Sequence, residues 1–91
     1  MARSLLVEVV TPDATVFSGE VESVVVTTPE GELGVLPMHA PLVARLGKGQ
    51  LRLRPVGKEA AQVFTTEGGY FQVAEDKAIV LTDSAQAADA A

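Results

Sequence analysis

Few residues of this chain are of a type that could carry out chemistry. The sequence has no cysteine, which excludes disulfides and thiolate catalysis, and His39 is its only histidine. A metal site with two or more imidazole ligands therefore cannot form within one chain, and no serine stands at a spacing typical of a nucleophile that His39 would activate. We expect no catalytic residue, no metal site and no cofactor, and we interpret His39 as a loop histidine that serves structure or an interface.

Glycines and carboxylates occur in two short motifs that could be taken for binding sites. Gly31-Glu32-Leu33-Gly34 lacks both the strand–loop–helix setting and the Lys-Ser/Thr pair that a phosphate-binding loop requires. Gly68-Gly69 is better explained by a backbone that needs glycine than by a ligand. Glu30 and Glu32 flank a predicted turn, so we interpret them as solvated carboxylates and not as a catalytic acid–base pair.

Lys77 suggests one enzyme-associated alternative. It lies in Glu75-Asp76-Lys77-Ala78, and the Asp-Lys-Ala triplet is similar to the hairpin tip of lipoyl carrier domains. Those domains are acidic β-sandwiches of about this length, and their lysine carries a covalent lipoyl arm. The position argues against this alternative, because a lipoyl lysine lies near the middle of its domain whereas Lys77 lies close to the end of the chain.

The composition limits the classes of partner. Twelve acids against seven bases give a net charge of −5, and only four residues are aromatic, so we expect no binding to nucleic acid. No run of about 18 apolar residues is present, and the first residues do not form a signal peptide. We therefore expect a water-soluble domain whose association with any membrane runs through a partner.

The bases are concentrated in the middle of the chain, where residues 33–58 contain no acid. One interpretation is a solvated sheet face with protective edge charges. The other is a patch that binds an acidic partner, as in an unrelated β-sandwich recognition module. The bases concerned are Arg45, Lys48, Arg52, Arg54 and Lys58.

The elements that must position these residues are short strands. β-branched residues and period-two alternation predict about eight to ten of them, and no convincing amphipathic helix precedes Thr82. Gly47-Lys48-Gly49 is predicted to be a hairpin loop, and Glu67-Gly68 a turn. The fold class is therefore all-β, an antiparallel sandwich or flattened barrel. We expect one domain over residues 1–84, followed by an alanine-rich tail over 85–91 that is too short for a stable helix.

The most specific motif is GELGVLPMHAPL over residues 31–42. It resembles the signature of the epsilon subunit of F-type ATP synthases, G-E-[LI]-G-[IV]-x-P-x-H-x-P-[LF]. The likeness extends over residues 4–85 and includes the opening strand and the closing pair of strands. Gly31 and Gly34 would let the backbone turn, and Pro37 and Pro41 would rigidify the loop that holds His39.

This resemblance implies both a fold and a function. The fold would be a ten-stranded sandwich of two five-stranded sheets. The function would be that of a non-catalytic subunit of the central stalk, the rotor, which binds the gamma subunit and contacts the c-ring, coupling proton translocation to ATP synthesis. It would act at the cytoplasmic face of the bacterial plasma membrane, or an equivalent energy-coupling membrane, as a peripheral component. Glu32 and His39 match the signature residues expected to contact the ring, and Met38 is a candidate for contact with gamma.

The chain departs from that family at its C-terminal end. Most members continue into a helical hairpin that can block ATP hydrolysis and that binds ATP in some of them. This sequence ends at Ala91, where the hairpin would begin. We therefore expect inhibition and ATP sensing to be absent, in either a natural short form or a shortened version of a longer protein.

Overall fold

The computed structural model describes residues 4–57 and 60–88, and within them the chain folds into strands alone. This confirms the all-β fold class. Lys58, one of the bases noted above, lies outside the described residues. The seven strands are β1 (Leu5–Val10), β2 (Thr15–Thr28), β3 (Gly31–Val35), β4 (Leu42–Pro55), β5 (Gln62–Ala74), β6 (Lys77–Leu81) and β7 (Ala85–Ala88).

Five of the strands close into a barrel. β2 pairs antiparallel with β1 and β4, β4 pairs with β5, and β5 pairs with β6. The ring closes because β6 also pairs with β1, in parallel. β3 and β7 extend the sheet outside this ring, β3 beside β2 and β7 beside β5. Closure removes most of the free strand edges at which a β protein would aggregate.

The expected ten strands in two five-stranded sheets are not found, because the described residues form seven strands in one sheet. The difference lies in β2, β4 and β5, each of which is one continuous strand of 13 or 14 residues where shorter strands were expected. The register of β4 with β5 skips one position, between the pairs Leu46↔Gly69 and Lys48↔Glu67. The predicted turn at Glu67-Gly68 is wrong, since both residues lie inside β5, which continues to Ala74.

The predicted hairpin loop at Gly47-Lys48-Gly49 is also wrong, since all three residues lie inside β4. The glycines are required by the close approach of β2 and not by a turn. A Cβ on Gly47 would lie 3.1 Å from the backbone carbon of Thr28, and a Cβ on Gly49 would lie 2.7 Å from Thr27 Oγ1. Glycine within a strand often marks such a close approach.

The core is a row of aliphatic side chains from the inward-facing positions of the strands, with Phe71 fully buried among them. Alternation is clean in β1, where Leu5, Val7 and Val9 have no exposed surface. Phe17 packs against the core and meets Phe64 edge-to-face, with ring centroids 6.4 Å apart. The other buried members are Val21, Val24, Val26, Val35, Leu46, Leu51, Leu53, Val73, Ala78 and Val80.

The last described residues, Ala85–Ala88, form β7, which pairs with residues 63–66 of β5. An alanine-rich segment has a high intrinsic helix propensity. Here the edge of β5 supplies backbone hydrogen-bond partners, and the segment is extended instead. Residues 89–91 lie outside the described part of the chain. Over residues 4–57 and 60–88 there is no helix of the length and apolar character needed to cross a bilayer.

Candidate functional site

The signature motif forms β3 and the connection from β3 to β4, residues 36–41, which we call the signature loop. Within β3, Val35 is buried and Leu33 packs against the core, while Glu32 and Gly34 face outward. Gly31 has a φ of +133°, a conformation that side-chain-bearing residues rarely adopt. Among the described strands β3 pairs only with β2, so its other edge is open.

The signature loop is held in one conformation by the β5–β6 turn. The Met38 amide donates to Asp76 Oδ1 at 2.5 Å, and Met38 has a left-handed φ of +68°. Pro37 and Pro41 restrict the backbone on either side. The loop presents two apolar side chains to solvent, since Leu36 is 64% exposed and Met38 67%. The exposure of Leu36 was not predicted from the sequence.

His39 is half-buried, and its ring is oriented by its neighbour. Nδ1 lies 2.7 Å from the carbonyl oxygen of Ala40. A carbonyl oxygen only accepts, so Nδ1 carries the proton in this contact and Nε2 is the nitrogen that can accept a bond from a partner. No cluster of three or more His, Asp or Glu side chains that could hold a metal ion is found in the described ranges. The arrangement therefore suits a hydrogen bond across an interface.

Glu32 lies at the other end of β3 from the signature loop. Its Oε2 accepts a hydrogen bond from Arg52 Nη2 at 3.2 Å, reaching across β2 to β4 on the outer face of the sheet. Both side chains are about half exposed. The structure thus brings Met38 and His39 together in one loop, whereas Glu32 lies a strand length away along the same edge.

Lys77 does not occupy a free hairpin tip. It is the first residue of β6, and its Nζ lies 3.7 Å from Glu8 Oε1 on β1. Asp76, before it in the turn, is already bonded to the signature loop. A lipoyl lysine must project from an accessible tip to reach its partner active sites, so this geometry disfavours the carrier alternative.

The basic stretch is partly neutralised within the domain itself. Lys48 Nζ lies 3.8 Å from Glu67 Oε1, and Arg52 pairs with Glu32. Exposed pairs of this kind contribute about 0–1 kcal/mol each. The arrangement favours a solvated sheet face over a dedicated patch for an acidic partner.

An apolar surface on the outside of β4, β5 and β6 was not predicted from the sequence. Val43 is 71% exposed, Tyr70 55% and Leu81 48%, and Tyr70 pairs directly with Leu81 in the register. Ile79, two positions before Leu81 on β6, is half-buried and pairs with Gln72, which pairs in turn with Val43. We call these four apolar residues the apolar face. The sequence does show apolar residues at the outward-facing positions of these strands. The alternation pattern alone, however, does not separate a face that packs in the core from one that docks a partner.

The chain matches the family model described as the beta-sandwich domain of the ATP synthase delta/epsilon chain, over residues 4–88. It belongs to this family. The match confirms the resemblance drawn from the signature motif, and it extends through nearly the whole described structure.

Curated members of the family carry the same likeness. The chain is 42% identical over 89 residues to the ATP synthase epsilon chain of Desulforamulus reducens, covering 98% of this chain and 66% of that protein. It is 46% identical over 83 residues to the ATP synthase epsilon chain of Alkalihalophilus pseudofirmus, covering 91% and 61%. The chain therefore spans less than two thirds of the length of these relatives.

Solved structures share the fold. A chain in the cryo-EM structure of the Euglena gracilis mitochondrial ATP synthase, containing OSCP, F1 and the c-ring, superposes with a TM-score of 0.84 at 24% identity, covering 92% of this chain and 53% of that chain. A chain in the central stalk and c-ring of the Tetrahymena thermophila mitochondrial ATP synthase gives a TM-score of 0.76 at 18% identity, covering 91% and 66%. At these identities the likeness establishes the fold.

Proposed function

We propose that this domain is a non-catalytic part of the central stalk of an F-type ATP synthase. It binds the gamma subunit, contacts the c-ring and couples proton translocation to ATP synthesis. The observation that carries the proposal is the family match over residues 4–88, with the signature motif intact on β3 and its loop. Its association with the membrane, at the cytoplasmic face of a bacterial cell, runs through the complex.

The ring contact is proposed for the open edge of β3 and the signature loop. Glu32 and His39 lie at the two ends of this edge, and a five-residue strand spans roughly 15 Å, a distance that one contact surface can cover. The Glu32–Arg52 pair is exposed and worth about 0–1 kcal/mol, so a basic group of the ring can replace Arg52 at little cost. His39 Nε2 accepts a bond from a donor on the same partner.

The gamma contact is proposed for the apolar face, with Met38 at its margin. Burying exposed apolar surface contributes roughly 25 cal/mol per Å², and aromatic side chains such as Tyr70 contribute most to interfaces. The exposed apolar surface is contributed mainly by Val43, Tyr70 and Leu81. Burying this surface should contribute more binding free energy than an exposed ion pair would. Apolar contact therefore dominates gamma affinity, and charge sets the orientation.

The test of the gamma contact is a calorimetric titration of this chain against purified gamma subunit. We expect saturable one-to-one binding of sub-micromolar strength, by analogy with other stable interfaces of standard size. Val43→Glu should weaken it by roughly tenfold or more, because a charge must then be buried. Gln50→Glu is the matched control on the outer face of the same strand and should leave binding unchanged. A folded gamma that does not bind the wild-type chain would refute the proposal.

The ring contact is tested by ATP synthesis in reconstituted vesicles containing the whole complex. Glu32→Gln and His39→Ala should each lower the ATP made per proton gradient while leaving gamma binding intact. The coupling role would be ruled out if coupling were the same with the wild-type subunit, with either variant and without the subunit.

A further inference from the structure

Asp76 connects the signature loop to the rest of the barrel. Its Oδ1 accepts the Met38 amide at 2.5 Å, and its backbone carbonyl accepts the Leu6 amide of β1 at 3.0 Å. One turn residue therefore holds both the loop and the first strand of the barrel.

The signature loop needs such an anchor. Outside the strand ladders, no backbone–backbone hydrogen bond involves residues 36–41 in the described part of the chain. Met38 is held in the left-handed region, which a residue with a side chain adopts only when its surroundings impose it. A hydrogen bond from a backbone amide to a carboxylate is charge-assisted and therefore stronger than a neutral one. Such a bond can impose the left-handed conformation on Met38.

The turn is built to present this carboxylate. Glu75 and Asp76 have φ values of +52° and +58°, the pattern of a tight hairpin turn in which Asp is among the favoured residues. The turn and the signature loop then form one continuous surface, a depression lined by residues 38–41 and 75–76. Asp76 thus lies beside His39 and not on a separate hairpin tip.

We propose that Asp76 is a positioning residue for the signature loop. Its carboxylate fixes Met38, and through Met38 it sets where His39 meets a partner. The effect on the c-ring rests on the function proposed above, whereas the effect on the loop does not. Asp76 therefore contributes to the contact surface indirectly, through Met38.

The loop is tested by amide hydrogen exchange, measured by NMR on the 15N-labelled chain. Asp76→Gly removes the carboxylate while glycine keeps the positive φ, and the Met38 amide should exchange roughly tenfold faster. Asp76→Asn retains an acceptor oxygen and should restore most of the protection. Glu75→Gly is the matched control, since it changes the same turn at a similar φ without touching Met38.

The Leu6 amide reports on the turn itself. It bonds to the Asp76 backbone and should remain protected in all three variants. Unchanged exchange of Met38 in Asp76→Gly would overturn the proposal. So would a uniform rise at Met38, at Leu6 and across the core strands, because the carboxylate would then support the fold and not the loop.

The contribution to coupling is measured in the reconstituted complex with Asp76→Gly and Glu75→Gly. We expect lower coupling in the first and wild-type coupling in the second. Faster exchange of Met38 with unchanged coupling would uphold the positioning role and refute the ring contact of the signature loop. Lower coupling without a change in exchange would refute the positioning role, and the two failures are therefore distinguishable.

Discussion

Replacing Gly69 by alanine should be among the most damaging single-methyl changes in this protein. Gly69 lies on β5 opposite the end of β6, with a φ of +121°. A Cβ there would stand 1.9 Å from the Leu81 carbonyl oxygen and 2.8 Å from Thr82 Cα. Both are backbone atoms, so no side-chain rotation relieves the overlap, and the β5–β6 pairing must shift.

The magnitude follows from two separate costs. Overpacking costs about 1–3 kcal/mol and an unfavourable φ about another 1–3 kcal/mol, so we expect a loss near 4 kcal/mol. A small domain has a total stability of roughly 5–15 kcal/mol, and each kcal/mol lowers Tm by roughly 4–8 °C. Gly69→Ala should therefore lower Tm by about 16–32 °C.

Urea unfolding followed by far-ultraviolet circular dichroism measures this loss, with two matched controls. Gly31 has a similar φ of +133° but nothing within 4 Å of its Cβ position, so Gly31→Ala should incur only the backbone cost, about 1–3 kcal/mol. Gly34 has no positive φ, and the nearest atom, on Val25, is 4.0 Å away, so Gly34→Ala should change stability by less than about 1 kcal/mol. If Gly69→Ala lost no more than Gly31→Ala, the steric reasoning would be refuted.

Three further changes test the packing and the surface charges by the same assay. Gly49→Ala should cost about 1–3 kcal/mol, because its Cβ meets Thr27, whose hydroxyl bonds to the Gln50 carbonyl at 2.9 Å; an unchanged unfolding midpoint would contradict this. Glu32→Gln should change stability by less than about 1 kcal/mol, and less in high salt, since its ion pair is exposed. Phe71→Ala should cost about 3–5 kcal/mol, and a loss under about 1 kcal/mol would mean that Phe71 is not central to the core.

The alternation of apolar and polar residues predicts strands well where one face is buried and the other is exposed to solvent. Leu5, Val7 and Val9 are buried at alternate positions of β1, and Leu51 and Leu53 are buried in the same way on β4. The strand count fails at glycines, because a glycine demanded by a crossing strand looks the same in a sequence as one demanded by a turn. The distinction depends on Thr27 and Thr28 of β2, which are brought to β4 only by the tertiary fold.

The candidate site is predictable in its local part and not in its long-range part. The motif over residues 31–42 predicts a proline-bounded loop around His39, and the structure has this loop between β3 and β4. The bond from Asp76 to Met38 joins positions 38 residues apart, and the partner of Glu32 is 20 residues away. No local pattern encodes either contact, because each depends on how the barrel closes.

The parallel pairing of β1 with β6 also bears on how the domain is made. β1 lies at the start of the described chain and β6 near its end, so this pairing joins strands that are far apart in the sequence. During translation, one edge of β1 stays unpaired until β6 has emerged from the ribosome. Such non-local pairings form slowly, and a nascent chain that is waiting for one is prone to aggregate. Barrel closure is therefore a late event, which follows translation of nearly the whole domain.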